Sequence, residues 1–171
     1  MNQIPKLLLN IFRKYDTPTI LNALDILDSK FRTRGFTTEQ MICVDTTLPP
    51  IVGYARTATI SASSKVDPNT KLDRSLAYYE YVSSGTAPCI SVIQDVDENA
   101  GFGAFWGEVN SNIHNALGVI GVVTNGSVRD LDVLSAGFQV LAGKIGPGHA
   151  YVRIEETGIP VNIFGMTVQH N

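Results

Sequence analysis

The chain has 171 residues, of which 44% are hydrophobic and 17% are charged, and thirteen basic and sixteen acidic side chains give it a formal charge of −3. This length and apolar content argue against a disordered chain and fit a single domain over residues 1–171. The basic residues are scattered, which argues against a nucleic-acid surface, because such a surface needs a concentrated basic stripe.

The spacing of the cysteines and the hydropathy of the chain bear on its cellular compartment. Cys43 and Cys89 lie far apart and belong to no CxxC motif or Cys/His cluster, which argues against a zinc site or a disulfide framework. The apolar run at residues 7–9 is short and lacks a small-residue cleavage site, and no stretch reaches the roughly 18 apolar residues of a membrane span. We therefore expect a cytoplasmic protein with no membrane contact.

Helical periodicity dominates the N-terminal half. A first helix is predicted over residues 4–15, and a second begins at once, with Thr17 as its N-cap and Pro18 at its first helical position. A strand rich in β-branched residues is predicted over 51–60, and a helix over 72–82. The apolar stripe of the second helix consists of Ile20, Leu21, Leu24 and Leu27.

The middle of the chain has the pattern of a strand–helix–strand unit. A strand is predicted over 89–93, followed by a Gly-rich turn over 94–103 and by a helix that ends at Gly118. A buried strand over 119–123 then ends at the turn Asn125-Gly126. A unit of this length forms a parallel crossover, so we expect a parallel βαβ core. The apolar face of its helix is predicted to comprise Val109, Ile113, Ala116 and Leu117.

Short strands and turns fill the rest of the chain. Strands are predicted over 139–142, 151–154 and 161–164. Because helices dominate the N-terminal half and strands the C-terminal half, the sequence predicts a layered, mixed α/β fold rather than a regularly alternating doubly wound sheet.

Two loops of this fold are candidates for a ligand site. In an open parallel sheet, ligands bind beyond the carboxyl ends of the strands, where loops and helix N-termini converge. One such loop leads into the helix that starts near Gly107 and Glu108, and the other comprises residues 124–130 and contains Arg129 and Asp130. Adjacent strands would bring these residues within reach of one ligand.

The residue types suit a small anionic substrate. The backbone N–H groups of residues 107–110 open a helix and favour a carboxylate or phosphate. Arg129 offers a planar charged fork for a carboxylate or an oxyanion. Asp130 and Glu108 offer the oxygen ligands that Mg²⁺ or Mn²⁺ prefers. Together these groups could bind a 2-oxo acid through its carboxylate and carbonyl.

Simpler interpretations remain open for each of these residues. An Arg-Asp pair after an Asn-Gly turn is usually part of a solvated loop, and a Glu at a helix start usually serves the helix dipole. The sequence has no dinucleotide-binding fingerprint, no phosphate-binding GxxxxGK[ST] loop and no GxSxG nucleophile motif. The histidines have no partner at metal-ligand spacing and fit surface or packing roles: His114, His149 and His170.

The spacing around the candidate site resembles a known family. The family of the regulator of ribonuclease activity A and the 4-hydroxy-4-methyl-2-oxoglutarate aldolases has an acidic residue, twenty intervening residues and Arg-Asp. This sequence has Glu108, residues 109–128 and Arg129-Asp130. Further similarities extend over nearly the whole chain: residues 17–24 resemble the N-terminal helix of the family, 53–58 its G-x-A-x-T strand and 163–168 its late FG-x-x-V strand.

The resemblance implies a swivelling β/β/α fold and a homotrimer or dimer of trimers, and the low charged fraction is consistent with surface buried between subunits. It also implies a lyase, namely a class II pyruvate aldolase and oxaloacetate decarboxylase. By position, the backbone of Gly107, Glu108, Val109 and Asn110 would line the pyruvoyl end of the substrate. Arg129 would bind the substrate oxygens, Asp130 would hold Mg²⁺ or Mn²⁺, and Glu108 would orient metal-bound water.

This sequence also departs from the family pattern. Glu108 replaces an Asp found in many members, and Asn22 replaces another common Asp. Members of the family continue past the late strand into a PGD turn and further strands, so a chain that stops at residue 171 looks truncated. The other function that the family implies is non-catalytic, the binding of a ribonuclease as a protein partner.

Overall fold

The computed structural model describes residues 3–170. Four segments of this range form α-helices, and short 3₁₀ helices lie at Ser29–Arg32 and Leu131–Val133. The α-helices are α1 Lys6–Phe12, α2 Thr17–Leu27, α3 Pro68–Ser83 and α4 Glu108–Ala116. No helix within residues 3–170 has both the length and the apolar character needed to cross a membrane.

The strands form one large mixed sheet and one hairpin. They are β1 Ile42–Cys43, β2 Tyr54–Ser61, β3 Cys89–Asp95, β4 Ala104–Trp106, β5 Val119–Val128, β6 Gln139–Ile145, β7 Arg153–Thr157, β8 Val161–Ile163 and β9 Met166–Val168. The order in the large sheet is β1-β6-β5-β3-β2-β7, with β4 added against β5, and β8 pairs with β9 apart from it. The predicted mixed α/β fold is confirmed.

The centre of the sheet is parallel. β2 pairs in parallel with β3, β3 with β5, and β5 with β6, whereas β1 and β7 pair antiparallel at the two edges. The segment between β3 and β5 contains α4, so the predicted βαβ unit is present. A second parallel crossover runs from β2 through α3 to β3. As a result, β3, β5 and β6 all end at the same edge of the sheet.

The two faces of the sheet are covered by different layers. Successive strand residues point to opposite faces, and on β3 the side chain of Ile93 packs in a cluster with Tyr78 of α3, while Val92 packs against Ile163 and Phe164 near the β8–β9 hairpin. α3 and α4 thus cover one face, and the β8–β9 hairpin lies on the other. This is the β/β/α layering that the resemblance implied.

Several element boundaries differ from those predicted. Asp16, not Thr17, caps α2, because its carboxylate accepts a hydrogen bond from the backbone N–H of Thr19 at 2.9 Å. Likewise α3 begins earlier than expected, at Pro68, because Asp67 caps it. The first helix is shorter than predicted and ends at Phe12.

The predicted end of β5 at Asn125-Gly126 is wrong, since the strand continues to Val128. The Asn125 side chain accepts a hydrogen bond from the backbone N–H of Asp95 at 2.7 Å and donates one to its carbonyl at 3.0 Å. These bonds to the neighbouring strand keep Asn125 within the sheet. The segment predicted to lead from a turn directly into α4 also contains β4, which the sequence analysis missed.

Candidate active site

The two candidate loops meet because β4 pairs in parallel with the end of β5. Trp106 lies opposite Val128 in this pairing, and the backbone N–H of Arg129 donates to the carbonyl oxygen of Trp106 at 3.0 Å. The residues that follow the two strands are therefore neighbours. The structure brings Gly107 and Glu108 together with Arg129 and Asp130, as predicted from the positions of the loops.

Gly107 fits tightly against the Arg-Asp pair. A Cβ atom at this position would lie 2.6 Å from Asp130 Oδ2 and 3.1 Å from Arg129 Cγ. The backbone of Gly107 is extended, with a φ of −179°, so any residue could adopt it. The requirement for glycine is therefore steric, and its hydrogen leaves room for the Asp130 carboxylate beside the start of α4.

The Asp130 carboxylate links the two loops. Its Oδ2 accepts a hydrogen bond from the backbone N–H of Glu108 at 3.4 Å and lies 3.4 Å from Nε of Arg129. The side chains of Arg129 and Asp130 are each 36% exposed, so both carry charge that a ligand could reach. One backbone N–H and one side-chain nitrogen thus position the Asp130 carboxylate.

Asp130 also has a strained backbone. Its φ is +55°, in the left-handed region that costs free energy for residues other than glycine. The following turn fixes this conformation, since the N–H of Val133 donates to the carbonyl of Asp130 at 3.1 Å. Backbone strain of this kind clusters at functional sites, which singles out Asp130 among the acidic residues.

A cavity of about 90 Å³ lies beside these residues. Its lining residues come from β4 and the start of α4, from the loop after β5, and from the turn between β6 and β7. They are Ala104, Phe105, Gly107, Val109, Asn110, Arg129, His149 and Val152. Four of the predicted site residues therefore line one cavity. Glu108 and Asp130 are not in its lining, although both contact residues that are, and the roles assigned to all six remain predictions.

His149 is the polar lining residue that the sequence analysis missed as a site residue. It lies in the turn after β6, the parallel neighbour of β5. The sequence signal was available, because a third parallel strand over 139–142 would place the following turn at the same edge of the sheet. Because no second histidine lies at ligand spacing, the sequence pattern indicated only a surface or packing role for it.

The Asn110 side chain is used to hold α4 in position. The Tyr79 hydroxyl donates to Asn110 Oδ1 at 3.0 Å, and Asn110 Nδ2 donates to the carbonyl of Phe105 at 2.5 Å. The first N–H groups of an α-helix lack acceptors within the helix, and together with the helix dipole they favour an anion. Asn110 thus fixes the orientation of a helix start that faces the cavity.

A buried polar chain continues this anchoring into the core. The Nδ1 atom of His114 lies 2.6 Å from the carbonyl oxygen of Asn110, and its Nε2 lies 2.8 Å from the Tyr78 hydroxyl. Since a carbonyl only accepts, Nδ1 carries the proton and Nε2 accepts from Tyr78. The Tyr78 oxygen in turn lies 3.2 Å from the Ser91 hydroxyl.

Burial sets the charge of these groups. Desolvation lowers the pKa of His114 to about 4 and raises the pKa of Tyr78 well above its usual value, so both are neutral near pH 7. His114 is a packed histidine, one of the two roles that the sequence indicated. The predicted apolar face of α4 is only partly correct: Leu117 packs against the core, but Val109 is 65% exposed, and the fully buried residues of the helix are Ser111 and His114.

The side chains of Asp130 and Glu108 suit a hydrated metal better than an enclosed one. Within residues 3–170, no group of three or more His, Cys, Asp or Glu side chains is arranged to hold a metal ion. Mg²⁺ commonly binds through one or two carboxylates and keeps several waters. The exposed Asp130 carboxylate, in the space that Gly107 leaves open, fits such a site.

Comparisons with solved structures agree on the fold. A protein described among novel cellulases from gut-associated microbes has a TM-score of 0.77 at 16% identity, over 99% of this chain and 73% of that one. An uncharacterized protein from Pseudomonas syringae pv. tomato has a TM-score of 0.73 at 19% identity, over 99% and 71%. Identities this low show a shared fold alone.

A third structure belongs to a named protein family. Streptomyces coelicolor RraAS2, described as an unusual member of the RNase ES inhibitor RraA family, has a TM-score of 0.70 at 19% identity, over 99% of this chain and 80% of that one. No curated protein sequence matches the chain significantly. The family described as RraA-like, Aldolase/RraA, matches residues 17–171. Because this match covers most of the chain, the chain belongs to the RraA-like family.

Proposed function

We propose that this chain is a divalent-metal-dependent lyase that cleaves a carbon–carbon bond in 2-oxo acids. The supporting observation is the junction of β4 and β5, which sets Arg129 and Asp130 against the start of α4 beside a cavity of about 90 Å³. The proposed substrates are oxaloacetate and 4-hydroxy-4-methyl-2-oxoglutarate. Both yield pyruvate.

The proposed binding mode follows from charge. The 1-carboxylate of the substrate faces the N–H groups at the start of α4, where the helix dipole is positive. Arg129 donates to the carboxylate and the 2-oxo oxygen, since its planar fork suits paired oxygens. Glu108, exposed on the first turn of α4, orients a water molecule next to the Asp130 carboxylate.

The proposed reaction proceeds through the enolate of pyruvate. Retro-aldol cleavage of the hydroxy acid and decarboxylation of oxaloacetate leave the same enolate, so one site serves both. A Mg²⁺ or Mn²⁺ ion held by Asp130 would supply Lewis-acid stabilisation of negative charge on the substrate oxygens. Arg129 adds preorganised positive charge at the same oxygens, without reorganisation of water.

The proposed assembly is a homotrimer or a dimer of trimers. Large apolar side chains on the first two helices are strongly exposed, with Leu7 at 71%, Ile26 at 86% and Leu27 at 81%. Exposed apolar groups of this size favour burial against another protein surface. A second copy of the chain is the proposed occupant.

The function is tested by measuring pyruvate release from both substrates with and without Mg²⁺. We expect metal-dependent release by the wild type and its loss in Asp130→Asn. Asp132→Asn is the matched control, because Asp132 lies on the adjacent 3₁₀ helix and outside the proposed site. Full activity of Asp130→Asn, or no metal-dependent release by the wild type, would refute the proposal.

The second candidate is a non-catalytic regulator that binds a ribonuclease. The exposed apolar faces of α1 and α2 favour it, since they could also bind a protein partner. This candidate predicts no turnover of either substrate and unchanged partner binding in Arg129→Ala. A binding assay with a purified ribonuclease, run beside the pyruvate assay, separates the two functions.

A further inference from the structure

The turn that carries His149 is held in place by its backbone. The N–H of Ala104 donates to the carbonyl of Gly148 at 2.8 Å, and the N–H of Val152 donates to the carbonyl of His149 at 3.1 Å. Ala150 has a φ of +44°, which is a strained conformation for a residue with a side chain. The turn is therefore anchored to β4 and held in a costly conformation next to the cavity.

The backbone also fixes the tautomer of the neutral His149 ring. Its Nδ1 lies 2.8 Å from the carbonyl oxygen of Ala150. A carbonyl only accepts, so Nδ1 carries the hydrogen in the neutral ring and Nε2 carries the lone pair. The ring thus presents a base on the side away from its own backbone.

His149 shares the cavity with the residues of the proposed site. It lines the same space of about 90 Å³ as Gly107, Asn110 and Arg129. Arg129 is charged, and the side chain of Asn110 is bonded to Tyr79 and to the Phe105 carbonyl. His149 is the residue in this lining whose side chain can both accept and donate a proton.

We propose that His149 is the proton-transfer group of the site, an inference that rests on the proposed lyase function. In retro-aldol cleavage, Nε2 accepts the proton of the 4-hydroxyl group as the C3–C4 bond breaks. The O–H electron pair forms the new carbonyl, and the C3–C4 pair forms the enolate C2=C3 bond. The imidazolium then returns its proton to C3, so the ring is restored and no external proton is consumed.

The same group serves oxaloacetate. Carbon dioxide leaves with no proton transfer, and the electron pair of the broken bond forms the enolate. Nε2 of His149 takes a proton from water, which leaves hydroxide, and then donates that proton to C3, so the ring returns to its neutral form. In reverse, Nε2 removes a proton from the methyl group of bound pyruvate. The methyl hydrogens then exchange with solvent, and no carbon–carbon bond is cleaved.

The exchange reaction isolates the proposed step. Methyl hydrogen–deuterium exchange of pyruvate in D₂O, followed by NMR with Mg²⁺ present, is compared for the wild type, His149→Gln and His149→Ala. We expect both variants to slow exchange about 10²- to 10⁴-fold, the usual contribution of a general acid–base group. The KM for oxaloacetate should change little, because Arg129 and α4 bind the substrate. Added imidazole should restore exchange by His149→Ala, which a structural role would not allow.

His170→Gln is the matched control, because His170 is exposed and follows β9, and it should exchange at the wild-type rate. Thermal unfolding of each variant verifies that it is folded. If the wild type exchanges and cleaves but His149→Gln matches it, the inference is wrong and the proposed function stands. If the wild type neither exchanges nor cleaves with Mg²⁺, both are wrong.

Discussion

Tyr78 and His114 form a hydrogen bond of 2.8 Å inside the core, between the tyrosine hydroxyl and Nε2 of the imidazole. His114 lies on α4, the helix whose first turn opens at the candidate site. Both side chains have no exposed surface. The position of the site therefore depends on a histidine that must stay neutral.

The first prediction concerns stability at mildly acidic pH. Burial lowers the pKa of His114 to about 4, against an ordinary value of 6.5. Because the folded value is the lower one, the neutral histidine stabilises the fold fully above pH 6.5, and this stabilisation is lost as the pH falls toward 4. The loss is on the order of 3 kcal/mol. Urea unfolding between pH 7 and pH 4 measures it.

His114→Gln removes the titration and should flatten the pH dependence in this range, while it lowers stability at pH 7 by about 1–3 kcal/mol through lost buried hydrogen bonds. The exposed His170→Gln should keep the wild-type slope. Burial raises the pKa of Asp95, so its contribution to stability changes with pH in the opposite sense. Asp95 is present in both proteins, and subtraction of the His114→Gln stability profile from the wild-type profile removes its contribution. Equal slopes for His114→Gln and the wild type would contradict the prediction.

The second prediction concerns Gly107. Gly107→Ala places a methyl group 2.6 Å from Asp130 Oδ2, so the carboxylate must move. We expect pyruvate release to fall about 10- to 100-fold with a stability loss of about 1–3 kcal/mol, as for overpacking in a core. Gly146→Ala is the control, because its Cβ would meet the Ser127 hydroxyl at an ordinary 3.5 Å. Similar activities of the two variants would show that this contact does not matter.

The third prediction concerns the geometry of Arg129. Arg129→Lys keeps the positive charge but loses the planar fork that binds paired oxygens. We expect kcat/KM for oxaloacetate to fall about 10²- to 10³-fold, as when one preorganised donor to a developing oxyanion is removed. Steady-state kinetics measure this loss. A lysine variant with wild-type kcat/KM would mean that charge alone suffices at this position.

The fourth prediction concerns self-association. The double substitution Ile26→Asp and Leu27→Asp places charge on side chains that are 86% and 81% exposed, so it should leave the monomer folded and dissociate the proposed trimer. Sedimentation equilibrium gives the mass. Val96→Asp, at a 49% exposed apolar residue after β3, should keep the wild-type mass. A trimeric double variant would exclude α2 from the interface.

The core of the candidate site was predictable because its geometry follows from chain direction. Parallel strands end at one edge, so the loops after β3 and β5 had to converge there, but the pairing of β4 with β5 is what places Glu108 near Asp130. The strand β4 was not predictable in the same way. Three residues show no periodicity, and its pairing with β5 is a tertiary contact with no local signal.

The buried face of α4 was predicted only in part, and for a different reason. Periodicity assigns apolar residues to the core, but Ser111 and His114 are buried because distant groups satisfy them. The Ser111 hydroxyl accepts from the backbone N–H of Ser135 at 2.9 Å, and His114 bonds to Tyr78 on another helix. Partners so far away in sequence cannot be read from a single helix, and Val109 is left exposed at the cavity.

The three-residue strand β4 gives the site an unusual weakness. Among the strands within residues 3–170, β4 pairs with β5 alone, and at its end the Arg129 N–H donates to the Trp106 carbonyl. Local opening costs less free energy than global unfolding. Detachment of β4 would therefore separate the cationic loop from the helix start while the parallel sheet stays intact. A ligand that contacts both the Arg129 loop and the start of α4 would oppose this opening. Slower hydrogen exchange at the Arg129 amide would report its binding.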